Sequence, residues 1–331
     1  MHRCREVDMN KIMLLSILAI LIFSGCTGLN VSLLPETKPL EEQILEGTGN
    51  PKILLIDLDG IISFKEEKDG LILKRSSKVA FFREALHKAM EDPDVVGVII
   101  RINSPGGTVA ASDAIYHEVM SFRQKKRVPV YAYIMEVGAS GAFYVAASAD
   151  RIIASRSSVI GSIGVVAMKT NLGDLLSKIG VSEETYKSAP KKDFWSPFRA
   201  STPEEQKMLQ DIIDQLYAQF LDVVYSNRQR YLTMPQIKTL ADGRILTAQD
   251  ALQANLIDQV AYLDEAVDAM KISLHIEQAR IATYIRPKTY KSNIYSGYQA
   301  EPTGSIVNLI SINADGLPLF SGVQFMYLWN P

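Results

Sequence analysis

The strongest constraint on this chain is a series of short apolar runs, each followed by a glycine-bearing turn and then by a stretch of helical character. Val95-Val96-Gly97-Val98-Ile99-Ile100-Arg101-Ile102 reads as a buried strand and runs into Asn103-Ser104-Pro105-Gly106-Gly107-Thr108. A helix is predicted over 109–123. Val130-Tyr131-Ala132-Tyr133-Ile134 supplies the next strand, and Gly138-Ala139-Ser140-Gly141-Ala142-Phe143-Tyr144 is a turn entering a helix of small residues. Arg151-Ile152-Ile153-Ala154 then leads to Val159-Ile160-Gly161-Ser162-Ile163-Gly164-Val165-Val166. Upstream, residues 53–58 read as a strand, and 79–91 place Ala80, Phe81, Ala85, Leu86 and Ala89 at helical spacing. Strands alternating with helices in this way predict an α/β domain, whose sites lie in the turns that follow strands.

Beyond Arg199 the pattern becomes largely helical. Thr202 is placed to cap a helix, with Pro203 at its first position and Glu205 closing a capping box. Met208, Ile212, Leu216, Phe220 and Val223 form an apolar stripe on that helix, read as a packing face. A short helical unit follows from Pro235 to Asp258. The chain beyond Pro287 ends in Phe325-Met326-Tyr327-Leu328-Trp329, to which pattern alone assigns no role.

The amino terminus reads differently. After Lys11, residues 12–23 form a compact apolar core of the kind found in signal peptides. The run ends in Phe23-Ser24-Gly25-Cys26, which resembles a bacterial lipobox with Cys26 as the lipidated residue. An uncleaved signal anchor is the other reading, although the apolar run falls short of the ~20 residues of a full span. Both readings place the folded body outside the cytoplasm, in the cell envelope and held at a membrane. The organisation predicted is a signal peptide over 1–25, a tether over 26–50, an α/β core over 51–200, a helical extension ending the catalytic domain over 201–285, and a tail over 286–331.

Composition narrows the chemistry. A net charge of −2 gives no basic excess for a nucleic-acid surface. The two cysteines, Cys4 and Cys26, both precede the folded body, and the four histidines are scattered without ligand spacing, so neither a disulfide framework nor a metal site is predicted. There is no Gly-x-Gly-x-x-Gly and no Walker motif, and no cofactor is expected. Gly106-Gly107 could hold an oxyanion or a phosphate, or be simply a turn. Ser140, between Ala139 and Gly141, could be a nucleophile at a strand-to-helix corner, or a small residue in tight packing.

A serine nucleophile needs a base, and without histidine in these turns the remaining one is a lysine made neutral by burial. A solvated lysine has a pKa of about 10.4, and burial lowers it by up to about 3–5 units. Lys187, Lys191 and Lys192 share one short segment, and composition does not choose among them.

Taken together, residues 103–107, 139–144, 161–165, 186–199 and 241–258 resemble the bacterial signal peptide peptidases, Ser-Lys enzymes of the Clp protease and crotonase-like fold. The resemblance covers about residues 51–270 and implies a core of repeated β-β-α steps in a superhelix with a helical arm. It implies Ser140 as nucleophile, Lys192 as general base, Ser162 as the residue orienting the lysine, and the Gly107 amide as an oxyanion donor. Asn255 stands where the family pattern has glycine, and asparagine also tolerates the left-handed cap such a position needs. The resemblance further implies signal peptides and other apolar peptides as substrates, and a homo-oligomeric ring. Two rival readings are a crotonase-like enzyme acting on thioesters, disfavoured by export, and an inactive envelope scaffold that keeps a peptidase fold.

Overall fold

A computed structural model describes residues 39–69, 73–287, 289–290, 294, 299–300 and 325–329. The chain divides into two compact units, Met1–Thr37 with Asp69–Leu73, and Lys38–Lys68 with Lys74–Pro331. The first lies almost wholly outside the described residues, as do the predicted signal peptide and Cys26. The second carries the fold.

In chain order its strands are β1 (Glu41–Glu46), β2 (Lys52–Asp59), β3 (Glu67–Asp69), β4 (Leu73–Arg75), β5 (Val95–Ser104), β6 (Gly106–Thr108), β7 (Val130–Ala139), β8 (Arg151–Ala154), β9 (Val159–Gly161), β10 (Ile245–Thr247), β11 (Gln259–Val260), β12 (Arg280–Ile285), β13 (Thr289–Tyr290), β14 (Gln299–Ala300) and β15 (Met326–Leu328). The helices are α1 (Lys78–Glu91), α2 (Val109–Lys126), α3 (Gly141–Ala146), α4 (Gly173–Lys178), α5 (Pro203–Arg228), α6 (Met234–Leu240), α7 (Ala248–Gln253) and α8 (Leu263–Leu274).

The main sheet runs β1-β12-β2-β5-β7-β8-β11, with β9 beside the end of β7 and β10 on β9. From β12 to β11 every neighbouring pair is parallel, which makes this a mixed α/β fold with a largely parallel sheet. Parallel strands covered on both faces have no polar side, so β2, β5 and β7 read as near-continuous apolar runs. Their side chains still alternate. Leu54, Ile56, Leu58, Val98, Ile100, Ile102, Ala132 and Ile134 face one core with Phe82 of α1 and Val119 of α2. Ile53, Leu55, Ile99, Tyr131 and Tyr133 face the other, beneath Leu263, Ala266 and Met270 of α8. The step β5-β6-α2 is one β-β-α unit of the kind the resemblance implies.

Two segments differ from the sequence-based expectation. Residues 41–46, expected within the tether, form the edge strand β1, antiparallel to β12. Their sequence, EEQILE, is too polar to read as a strand, because a half-exposed edge needs few apolar contacts. Residues 280–285 return to the sheet between β12's neighbours β1 and β2. In α5 the predicted capping box is present: the Thr202 hydroxyl accepts from the Glu205 amide at 3.2 Å and the Glu205 carboxylate from the Thr202 amide at 2.8 Å. Only the second half of α5 buries apolar residues, through Phe220, Leu221, Val223 and Val224, so its first half is an arm. Asn255 takes φ 58°, the left-handed conformation anticipated for it.

Candidate active site

The parallel strands β5 and β7 carry their turns to the same edge of the sheet. Ser140 follows β7 and begins α3, with φ 54° and ψ −118°. A non-glycine residue in this region is strained, and sharp strand-to-helix corners are where a nucleophile is held out of its helix. The corner is pinned by the Ser140 amide, which donates to the Gly161 carbonyl at 2.7 Å, and by the Tyr144 amide, which donates to the Ser140 carbonyl at 2.9 Å. The Ser140 hydroxyl makes no capping bond to α3. The residue is 1% exposed.

Ser162 is brought beside it. The register of β7 with β9 pairs Ala139 with Gly161, so Ser140 and Ser162 leave neighbouring strand ends. Ser162 also has a positive φ, 49°, and its amide donates to the Arg244 carbonyl at 2.7 Å.

Gly106 and Gly107 form β6, immediately in front of α2. Gly106 has φ 101°, and a β-carbon there would lie 2.7 Å from the Gly141 amide nitrogen. A β-carbon on Gly107 would meet the Ile62 carbonyl oxygen at 1.9 Å, and one on Gly141 would lie 3.2 Å from the Gly107 nitrogen. Side chains are thus excluded from all three positions, and the Gly107 and Gly141 amides lie close to one another next to Ser140.

The tail, to which sequence pattern assigns no role, carries β15 into this site. It pairs antiparallel with β6, Tyr327 opposite Gly107, while Met326 exchanges two backbone bonds of 3.0 Å with Val166. The Tyr327 carbonyl oxygen lies 2.1 Å from where a Gly106 β-carbon would be and 3.1 Å from where a Gly141 β-carbon would be. The Tyr327 ring is fully buried: it stacks on Tyr144 at 5.1 Å, lies 4.6 Å from Phe220, and its hydroxyl donates to the Leu216 carbonyl at 2.8 Å. Burial pushes its phenol well above the usual tyrosine range. Tyr144 is pushed up likewise, by burial and by donating to Asp113 at 2.7 Å, and Gln219 of α5 closes that network. The only signal in the sequence was the aromatic ending, which is silent about where a strand pairs.

Lys192 makes no contact with Ser140 by hydrogen bond or ion pair among the described residues. It lies exposed in a run of turns, and among those residues no such bond joins its amino group to Ser162 either. The three lysines of this segment nonetheless differ. Lys187 pairs with Asp193 at 2.7 Å and Lys191 with Glu204 at 2.6 Å, whereas Lys192 has no ion pair among the described residues. The next residue, Asp193, is gripped by Arg199, which also takes Glu205 in a two-pronged contact. These contacts hold the Asp193 carboxyl far below the usual range, first through Arg199 and then Lys187. Lys169 donates to the Phe194 carbonyl at 3.3 Å and the Ser201 hydroxyl at 2.9 Å, and burial, with Arg199 nearby, lowers its pKa. No group of three or more metal-ligating side chains occurs among the described residues.

Residues 122–277 match the model of peptidase family S49. An Enterococcus faecium protein that carries the name signal peptide peptidase SppA is 33% identical over 258 residues, 78% of this chain and 74% of its own length. A Methanocaldococcus jannaschii protein that carries the name protease is 30% identical over 277 residues, 83% of this chain and 87% of its own. Among solved structures, a membrane-bound stomatin-specific protease in complex with a substrate peptide matches at 18% identity and a TM-score of 0.40, over 67% of this chain and 80% of that one.

Proposed function

The chain belongs to peptidase family S49, and from that premise we propose a membrane-anchored serine endopeptidase that cuts cleaved signal peptides and other apolar envelope peptides, with Ser140 as nucleophile and Lys192 as base. The observation that carries this reading is the strained corner at Ser140 beside the Gly106, Gly107 and Gly141 backbone, where side chains are excluded and a strand of chain already lies. A peptide substrate takes the same lane, adding as a strand between β6 and Val166 in place of β15.

In the reaction the neutral lysine accepts the Ser140 proton as the hydroxyl oxygen bonds to the substrate carbonyl carbon. The Gly107 amide donates to the resulting oxyanion, a contribution of about 3 kcal/mol for a donor of this kind. The tetrahedral intermediate expels the amine, which takes the proton from the lysine. Water then attacks the acyl-enzyme, with the lysine as base again, and releases the acid. Ser162, beside Ser140, orients the lysine.

Because Lys192 is exposed and makes no hydrogen bond to Ser140 among the described residues, the dyad closes by supply of the lysine from a second copy of the chain. A homo-oligomeric ring is favoured by the exposed apolar side chains Met168, Leu175, Ile179, Val181 and Tyr186, which lie between Ser162 and Lys192 in sequence. No helix among the described residues is long and apolar enough to cross a membrane, and the proposed anchor is the amino-terminal segment with Cys26.

The test is hydrolysis of a fluorogenic apolar peptide by the full chain in detergent, against Ser140→Ala and Lys192→Ala. Loss in both supports the dyad. Activity retained by Ser140→Ala removes the nucleophile, and activity retained by Lys192→Ala moves the base elsewhere.

A further inference from the structure

We propose that Lys169 and Arg199 are positioning residues that lock the segment bearing Lys192 to the segment bearing Ser162, so that the base is presented at a fixed place. This rests on Lys192 being the base.

The two residues that follow Lys192 are held from three sides. Arg199 donates from Nε and Nη2 to the Asp193 carboxylate at 2.9 and 3.0 Å, and Nη2 also reaches the Asp193 carbonyl at 3.2 Å. Lys187 reaches the same carboxylate at 2.7 Å. Lys169 takes the Phe194 carbonyl and the Ser201 hydroxyl. The clamp is anchored at both ends. Arg199 grips Glu205 at 2.9 and 2.7 Å, and Glu205, 4% exposed, is the residue that closes the α5 capping box. Lys169 lies three residues beyond Val166, which forms the outer edge of the lane, and seven beyond Ser162.

Among the described residues the clamp consumes the carboxylate beside Lys192 and leaves Lys192 itself without an ion pair. A planar guanidinium fork on two carboxylates fixes orientation as well as charge, which a flexible ammonium does not. A base displaced by about 1 Å costs on the order of a hundredfold in rate, so a clamp of this kind acts on the chemical step more than on peptide binding.

The experiment is steady-state peptide hydrolysis by the full chain, reading kcat and KM separately, with thermal melts on every variant. Lys169→Ala and Arg199→Ala each lower kcat roughly ten- to a hundredfold, with KM within about twofold of the parent. Lys169→Arg restores most of kcat, because arginine donates to the same carbonyl and hydroxyl yet stays protonated and cannot be a base. Asp193→Asn reproduces the loss of Arg199→Ala, and the double variant loses no more than either alone. Should an alanine variant melt early, Lys169→Arg, which keeps the donor, and Asp193→Asn, which keeps side-chain volume while losing one acceptor of the Arg199 fork, carry the test.

Three results overturn the proposal: kcat unchanged in Arg199→Ala and Asp193→Asn, a loss confined to KM, or Lys169→Arg as inactive as Lys169→Ala. The last would make Lys169 a proton carrier itself. Failure of the underlying reading is separate, since it shows as activity in Lys192→Ala whatever the clamp variants do.

Discussion

If β15 lies in the lane that a peptide must use, loosening it will raise activity in a graded way. Among the described residues the Tyr327 hydroxyl makes one bond, to the Leu216 carbonyl at 2.8 Å. Tyr327→Phe removes that bond alone, a net loss of about 1 kcal/mol, or about a fivefold shift toward the undocked tail. Tyr327→Ala also empties the space between Tyr144 and Phe220, and truncations of this size cost about 3–5 kcal/mol, a shift of about 150- to 5000-fold. A tail competing within the same molecule behaves as a tethered competitive inhibitor. The apparent KM for a fluorogenic peptide therefore falls in the order parent, Tyr327→Phe, Tyr327→Ala, with kcat constant. A chain ending before Phe325 gives the floor, beyond which Tyr327→Ala cannot go. The reasoning is refuted if the shortened chain melts like the parent but its KM is unchanged or higher, because β15 would then be a wall of the site.

Further outcomes follow from the same geometry. Ser140→Gly should abolish hydrolysis yet stabilise the fold by about 1 kcal/mol, since glycine tolerates φ 54°; differential scanning calorimetry reads the sign. Arg199 holds the Glu205 carboxyl at about 2 and Asp193 below the usual carboxylate range. Depressed carboxylates contribute stability above their unfolded pKa and lose it as pH falls, so the melting temperature should drop as pH goes from about 4.5 towards 2, and Arg199→Ala should flatten that slope. Arg228 forks onto Asp258 at 2.7 and 3.0 Å, with side chains 3% and 14% exposed, and Asp258 also accepts from the Ile152 amide. Arg228→Ala, which strands that carboxylate, should cost about 3–5 kcal/mol in urea unfolding.

The parts of this molecule that were legible in sequence are those whose physics is local. Apolar runs such as 95–102 announce a buried strand, the Thr202-Pro203-Glu205 pattern a helix start, and Asn255 a left-handed cap. Ser140 was visible as a small-residue corner, although only the strand register beside β9 explains why Ser162 accompanies it. The edge strand β1 was not legible because its partner, β12, lies more than two hundred residues away and an edge needs little apolar pattern. The same holds for β15. A three-residue strand has no periodicity to read, and its place is set by the open edge of β6 and by the gap between Tyr144 and Phe220.

The two halves of the proposed chemistry are built in opposite ways. Ser140, Ser162 and the glycines stand on buried strand ends, fixed by backbone bonds such as Ser140 to Gly161 and Ser162 to Arg244, and no side-chain rearrangement moves them. Lys192 stands in a run of turns, outside any strand or helix, held through Asp193 and Phe194 by charged side chains. Ion pairs at a surface are weak singly, and a clamp of several is what can be both firm when assembled and released when needed. A lysine becomes a base only where it is buried, so the role proposed for Lys192 depends on what covers its segment. Control of such an enzyme then lies in whatever buries the lysine and in whatever vacates the lane, and the clamp at Arg199 and the strand at Tyr327 both meet α5, through Glu205 at its start and through Leu216 and Phe220 further along.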